Sequence, residues 1–122
     1  MISILIVADH AMVRHGLNQL LNSSGDISVT GHASDGLEAL DLCEELRPDV
    51  VLVDIAMSHM EGVRATRMIT QRFPGLKVIL LSALGDESLS RRTLLVGALK
   101  IVSKDASLDE MLETIRAVYR EC

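Results

Sequence analysis

The sequence predicts an α/β fold, a doubly wound, five-stranded parallel sheet in flavodoxin-like order 2-1-3-4-5 with five helices, and three observations carry the prediction. Short apolar, β-branched runs recur along the chain, beginning at Ile2, Ile27, Val50, Val78 and Leu99. Segments with helical spacing of apolar residues separate them. The runs are apolar almost throughout rather than alternating, as strands buried on both faces are.

Taken in order, Ile2 to Ala8 is the first strand, and Val13, Leu17, Leu20 and Leu21 mark the helix after it. The second strand is Ile27 to Ala33, followed by a helix carrying Ala39, Leu40, Cys43 and Leu46. The third is Val50 to Val53, with Ala65, Met68, Ile69 and Phe73 on the next helix. Val78 to Leu81 forms the fourth strand. Asp86 to Val96 is the least amphipathic helix, since Gly85 and Gly97 bracket it and its apolar residues bunch at Leu94, Leu95 and Val96. Leu99 to Val102 is the last strand. The final helix is the most regular: Leu108, Met111, Leu112, Ile115, Val118 and Tyr119 share a stripe behind a Ser107-x-x-Glu110 capping box. Pro48 and Pro74 stand after helices, where proline ends them, and Gly36, Gly62 and Gly97 are expected in tight turns.

With 122 residues, 48% apolar and 24% charged, the chain is long enough for one domain spanning residues 1–122 and one sizeable core. Aromatic residues are only 2%, so that core is aliphatic. A net charge of −5 disfavours binding to a phosphate backbone, so this segment is not expected to read nucleic acid itself. Cys43 and Cys122 form neither a metal-ligand pattern nor a disulfide framework, which fits a reducing compartment. No apolar run approaches the roughly 18 residues that cross a bilayer, and a signal-peptide pattern is lacking, so a cytoplasmic location is expected.

In open α/β sheets ligands gather beyond the carboxyl ends of the strands, where strand order reverses. Asp9, Asp54, Ser82 and Lys104 fall at or just past four such ends. The predicted order makes strands one and three neighbours, so Asp9 and Asp54 would face each other. Paired carboxylates repel unless a hard cation lies between them, and open oxygen coordination suits Mg²⁺. An aspartate can attack a phosphoryl group to give an acyl phosphate, with a lysine and a hydroxyl neutralising and hydrogen-bonding its oxygens. Lys104 and Ser82 fit those roles.

The stretches Ile4-Leu5-Ile6-Val7-Ala8-Asp9-His10, Arg47-Pro48-Asp49-Val50-Val51-Leu52-Val53-Asp54, Glu61-Gly62-Val63, Leu81-Ser82-Ala83 and Ser103-Lys104-Asp105 stand in an order and spacing of their own. Through them the whole chain resembles the receiver domains of two-component response regulators, particularly the NarL/FixJ (LuxR-type) subgroup. The resemblance implies that Asp54 accepts a phosphoryl group from a sensor histidine kinase. It further implies Mg²⁺ on Asp9, Asp54 and the Ala56 carbonyl, with Ser82 and Lys104 on the phosphoryl group. It implies a signalling domain rather than an enzyme, with at most self-catalysed phosphoryl transfer and autodephosphorylation. Control of transcription would pass through a C-terminal helix-turn-helix domain outside this chain, and the first and last helices suit a homodimer.

The chain departs from the family pattern at three positions. Ala8 replaces the first of two acids after strand one, which is expected to weaken Mg²⁺ binding by about 1–2 kcal/mol. Ile101 replaces an aromatic residue whose rotamer reports phosphorylation, and Ser58 replaces a proline that stiffens the loop beside Asp54.

Plainer roles compete with each of these. Asp9 suits a helix N-cap or turn, Ser82 a strand-end hydrogen bond, Lys104 a solvated surface, and the four histidines share no metal-ligand spacing, although His10 adjoins Asp9. A receiver fold that signals by interaction or dimerisation without phosphorylation is the alternative function, favoured by Ala8 and Ile101. The sequence argues against a flavin or nucleotide enzyme, since it lacks a G-x-G-x-x-G or G-x-x-x-x-G-K-[ST] loop and has almost no aromatic residue to stack on a ring.

Overall fold

The computed structural model describes residues 1–57, 61–83 and 85–121. Strands β1 (Ile2–Val7), β2 (Ile27–Ala33), β3 (Val50–Asp54), β4 (Lys77–Ser82) and β5 (Lys100–Ser103) alternate with helices α1 (Ala11–Asn22), α2 (Gly36–Leu46), α3 (Glu61–Arg72), α4 (Glu87–Leu95) and α5 (Leu108–Arg120). The strands form one sheet in the order β2-β1-β3-β4-β5, and every pairing is parallel. This is the predicted topology.

Because side chains alternate across a strand, the continuous apolar runs feed two cores. On one face Ile4, Ile6, Leu52, Ile79, Leu81 and Val102 pack with Leu17 and Leu21 of α1 and with Met111, Ile115 and Val118 of α5. On the other, Leu5, Val7, Val51, Val53, Val78 and Leu80 pack with Ala39 and Cys43 of α2 and Ala65 and Ile69 of α3. Asp35 caps α2 by accepting from the Glu38 N–H, and the Ser107 hydroxyl accepts from the Glu110 N–H as the capping box requires. Arg47 closes α2 in a left-handed conformation just before Pro48.

Several expectations shift at their margins. Leu20 and Tyr119, placed on apolar stripes by spacing, are 48% and 43% exposed, because each lies at the edge of its stripe. Phe73 follows α3 rather than belonging to it; it packs against the second core with the Arg47 and Arg72 guanidinium groups 5.8 and 5.7 Å from its ring centre. Strand β1 stops before Ala8, β5 starts after Leu99, and α4 ends before Val96, although Ala8 continues the ladder by donating to the Ala33 carbonyl. Gly97 has φ 119° and makes the expected turn, whereas Gly36 and Gly62 lie in the first turns of α2 and α3 without positive φ. Gly62 is instead needed for close approach to backbone, whereas a Cβ at Gly36 would press first on the end of the Glu61 side chain. Ser58, His59 and Cys122 lie outside the described residues.

One polar tie fixes α5 across the amino end of the sheet. Arg116 of α5 holds Asp26, just before β2, with a two-pronged contact of 2.8 and 3.0 Å. Chiefly through this hydrogen bonding, Arg116 lowers the Asp26 carboxyl from 3.8 to about 2. A depressed folded-state value stabilises the fold above pH 3.8, and the contribution disappears as pH falls through about 2. Asp26→Asn is therefore expected to flatten that part of the stability-against-pH curve, measured by urea unfolding between pH 5 and pH 2, roughly the range spanned by the two values. Identical slopes for the two proteins would contradict it.

Candidate functional site

Asp54 is the last residue of β3 and is 2% exposed, preceded by four fully buried apolar residues. Such a carboxylate needs partners. Lys104 Nζ lies 2.8 Å from its Oδ1, and the Ala56 N–H donates to the same oxygen at 3.0 Å. Strand register explains how a residue fifty positions away reaches it: Asp54 pairs with Leu81 and Leu81 with Val102, so Lys104, two residues beyond Val102, projects to the same side. The Lys104 N–H also donates to the Ser82 carbonyl at 2.7 Å, which ties the β5 exit to the β4 exit.

Ser82 ends β4 one step past the level of Asp54, paired with Ser103. Asp9 lies two residues beyond β1, whose Val7 pairs with Val53, so the topology brings Asp9 and Asp54 to the same carboxyl edge. The N-cap of α1 is His10 rather than Asp9, and its Nδ1 stands 2.8 Å from Asp9 Oδ1. Among the described residues no group of three His, Cys, Asp or Glu side chains is arranged to hold a metal. The oxygen groups that the topology brings to this edge are the Asp9 and Asp54 carboxylates, beside the turn that carries Ala56. This all-oxygen, low-count set is what Mg²⁺ accepts while retaining water.

Two contacts at the site have no signal in spacing or composition. Arg14 of α1 donates from Nη1 to the Ala8 carbonyl at 2.6 Å, bringing a cation beside the position that lacks its acid. Gly62 sits where a Cβ would meet the Asp54 carbonyl oxygen at 2.9 Å and the Ile55 Cα at 3.0 Å. The start of α3 thus closes directly on the backbone of the aspartate. Glu61 beside it accepts from the Gly36 N–H at 2.7 Å and joins α3 to α2.

Comparison with known proteins decides what this arrangement is. The model of the response regulator receiver domain matches residues 4–116. The chain belongs to the response regulator receiver family. It is 39% identical over 120 residues to the transcriptional regulatory protein LiaR of Bacillus subtilis, covering 98% of this chain and 57% of that protein. It is 36% identical to the response regulator GacA of Pseudomonas aeruginosa, covering 98% and 56%. The chain therefore spans a little over half the length of these curated relatives. The response regulator domain of Thermotoga maritima CheB superposes with a TM-score of 0.88 at 32% identity, over 100% of this chain and 98% of that one. The receiver domain of NarL from Mycobacterium tuberculosis gives 0.88 at 27% identity, over 99% and 98%. The receiver, a signalling domain of two-component systems, is thus this chain's family. No helix among the described residues is long and apolar enough to cross a membrane.

Within this receiver the Gly62 contact is backbone against backbone, which no rotamer change relieves. Gly62→Ala is expected to cost about 1–3 kcal/mol of stability, as overpacking does. Chemical denaturation reads the loss, and an unchanged midpoint would show that α3 can back away from Asp54.

Proposed function

We propose that Asp54 is the phosphoacceptor of this receiver and that a sensor histidine kinase supplies the phosphoryl group. The observation that carries this reading is the buried Asp54 carboxylate with Lys104 Nζ 2.8 Å away at the open edge of the sheet. One Asp54 oxygen forms a bond to phosphorus as the bond between phosphorus and the donor's imidazole nitrogen breaks, the electron pair remaining on that nitrogen. Lys104 is already placed to pass from the carboxylate to a phosphoryl oxygen. The Ser82 hydroxyl, one residue past Asp54 on the neighbouring strand, donates to a second. The Ala56 N–H keeps the attacking carboxylate oriented.

Asp9, Asp54 and the Ala56 carbonyl would hold Mg²⁺. The ion, when bound, offsets the negative charge that gathers between carboxylate and phosphoryl oxygens. The resulting acyl phosphate adds about −1.5 to −2 charge at the edge, a change large enough to bias neighbouring elements between two arrangements. In a longer chain the output is transcription, as the name of the transcriptional regulatory protein LiaR suggests, read onto DNA by a helix-turn-helix domain outside these residues. A homodimer through α1 and α5 and a cytoplasmic setting complete the reading.

Incubation with acetyl phosphate and Mg²⁺, followed by intact-mass measurement, is expected to show one added phosphoryl group that Asp54→Asn does not acquire. No added mass, or a gain that survives the substitution, would favour instead a receiver that signals by interaction alone. Restoring the missing acid with Ala8→Asp is expected to tighten Mg²⁺ binding about 5- to 30-fold, the equivalent of one charge-assisted hydrogen bond. Titration of the metal in both proteins measures this, and equal affinities would refute the role given to position 8.

A further inference from the structure

The helices are not held to the sheet alike. Helix α1 buries Leu17 and Leu21, α3 buries Ala65 and Ile69, and α5 buries Met111, Leu112, Ile115 and Val118. The buried residues of α4 are Ser90 and Thr93. Leu89 packs against the second core only part-buried, and Leu94 and Leu95 turn outward, Leu95 being 86% exposed. The hydrophobic effect that seats the other helices is therefore weak beneath this one. The Ser90 hydroxyl, buried and without a hydrogen-bond partner among the described residues, opposes its burial further. Glycines with positive φ flank the helix, Gly85 at 99° and Gly97 at 119°.

What fastens the carboxyl end of α4 is a hydroxyl of α3. A helical threonine ordinarily returns its hydroxyl to the carbonyl one turn back, as Thr66 does to Gly62 at 2.9 Å, Thr93 to Leu89 at 2.7 Å and Thr114 to Glu110 at 3.0 Å. Thr70 does not. Its hydroxyl crosses from α3 to donate to the Val96 carbonyl at 2.6 Å, closer than the Arg67 carbonyl of its own helix at 3.3 Å. Val96 caps the end of α4, where carbonyls lack helical partners. Gly97 and Ala98 close that end by donating to the Leu94 and Thr93 carbonyls, and Thr70 takes the Val96 carbonyl. The fit is tight: a Cβ at Gly97 would meet Thr70 Cγ2 at 2.8 Å and Thr70 Cβ at 2.9 Å.

We propose that α4 opens as a unit separate from the rest of the domain, and that the Thr70 hydroxyl is the latch that keeps it closed. When Thr70 lets go of Val96, α4 lifts between Gly85 and Gly97 while the core beneath α1 and α5 stays packed. The latch stands whether or not Asp54 accepts a phosphoryl group.

Native-state hydrogen exchange of the full chain tests this, read by NMR at the amides of Ser90, Val96 and Ala98 for α4 and of Val53 and Val118 for the cores. In the unaltered chain the first three are expected to share one protection factor, lower than that of the other two. Thr70→Val, which keeps the shape and removes the hydroxyl, should cut it about five-fold, the contribution of one neutral hydrogen bond, and Thr70→Ser should retain most of it. Ile115→Val thins a core that stays formed in the open state, so it should lower protection at Val53 and Val118 and leave α4 as it was. Equal protection of α4 and the cores in the unaltered chain overturns the proposal. So does an α4 unaffected by Thr70→Val, equal losses in Thr70→Val and Thr70→Ser, or a fall at α4 in Ile115→Val that matches the fall at Val53.

Discussion

A charged carboxylate at the end of an apolar strand is the constraint around which this domain is arranged. Asp54 follows four residues with no solvent exposure, so its ionised form must be compensated by protein groups rather than water. Lys104 supplies the opposite charge and Ala56 a backbone donor. Each depends on the fold in a different way. The Ala56 contact is local, made by the turn that leaves β3. The Lys104 contact needs β4 inserted between β3 and β5 in correct register, and a one-residue slip would turn the lysine to the opposite face. Gly62 then seals the turn by letting α3 touch the Asp54 backbone.

Strand alternation also divides the work between the two faces. Asp54 and Lys104 share the parity of Leu81 and Val102, residues of the core beneath α1 and α5. Ser82, Ser103 and Ile101 have the opposite parity and line a hollow beside α4. The hydrogen bond from the Lys104 N–H to the Ser82 carbonyl, at 2.7 Å, bridges them. A displacement of the β4 or β5 exit is therefore felt on both faces at once. A charge gained on one side of the sheet, as in the function proposed above, would thereby reach a surface on the other.

The sequence made the scaffold legible because the central strands β1, β3 and β4, buried on both sides, are near-continuous apolar runs, and five strand segments in alternation with helices leave few topologies. Asp54, Ser82, Lys104 and Asp9 were legible for the same reason: polar residues stand out at the ends of apolar runs. Contacts between residues with no pattern in common were not. The Asp26 and Arg116 pair spans ninety positions, and the Arg14 bond goes to a backbone carbonyl that every residue possesses. Gly62 was read as a turn former because glycine serves both turns and close approaches, and only coordinates separate the two. Likewise, helical spacing locates a buried stripe but not its margin, which is why Leu20 and Tyr119 emerged at the surface.

Position 8 shows how one replacement changes the electrostatics of the site without disturbing its frame. Ala8 is fully buried, its N–H donates to Ala33 and its carbonyl accepts from Arg14, so its backbone is held on both sides. Extending the pairing of Val7 with Val53 by one step sets Ala8 level with Asp54. An acid there would stand beside Asp54 and raise the carboxylate repulsion that a bound cation must relieve. With alanine, Asp54 keeps Lys104 at 2.8 Å as its counter-charge, and the Arg14 guanidinium is engaged by the Ala8 carbonyl. In the function proposed above, alanine at position 8 would therefore remove a support for Mg²⁺ together with one negative charge that the ion would have to offset. Alanine at position 8 leaves the backbone beside Asp54 held on both sides, so in the function proposed above its effect would fall on metal affinity rather than on that architecture.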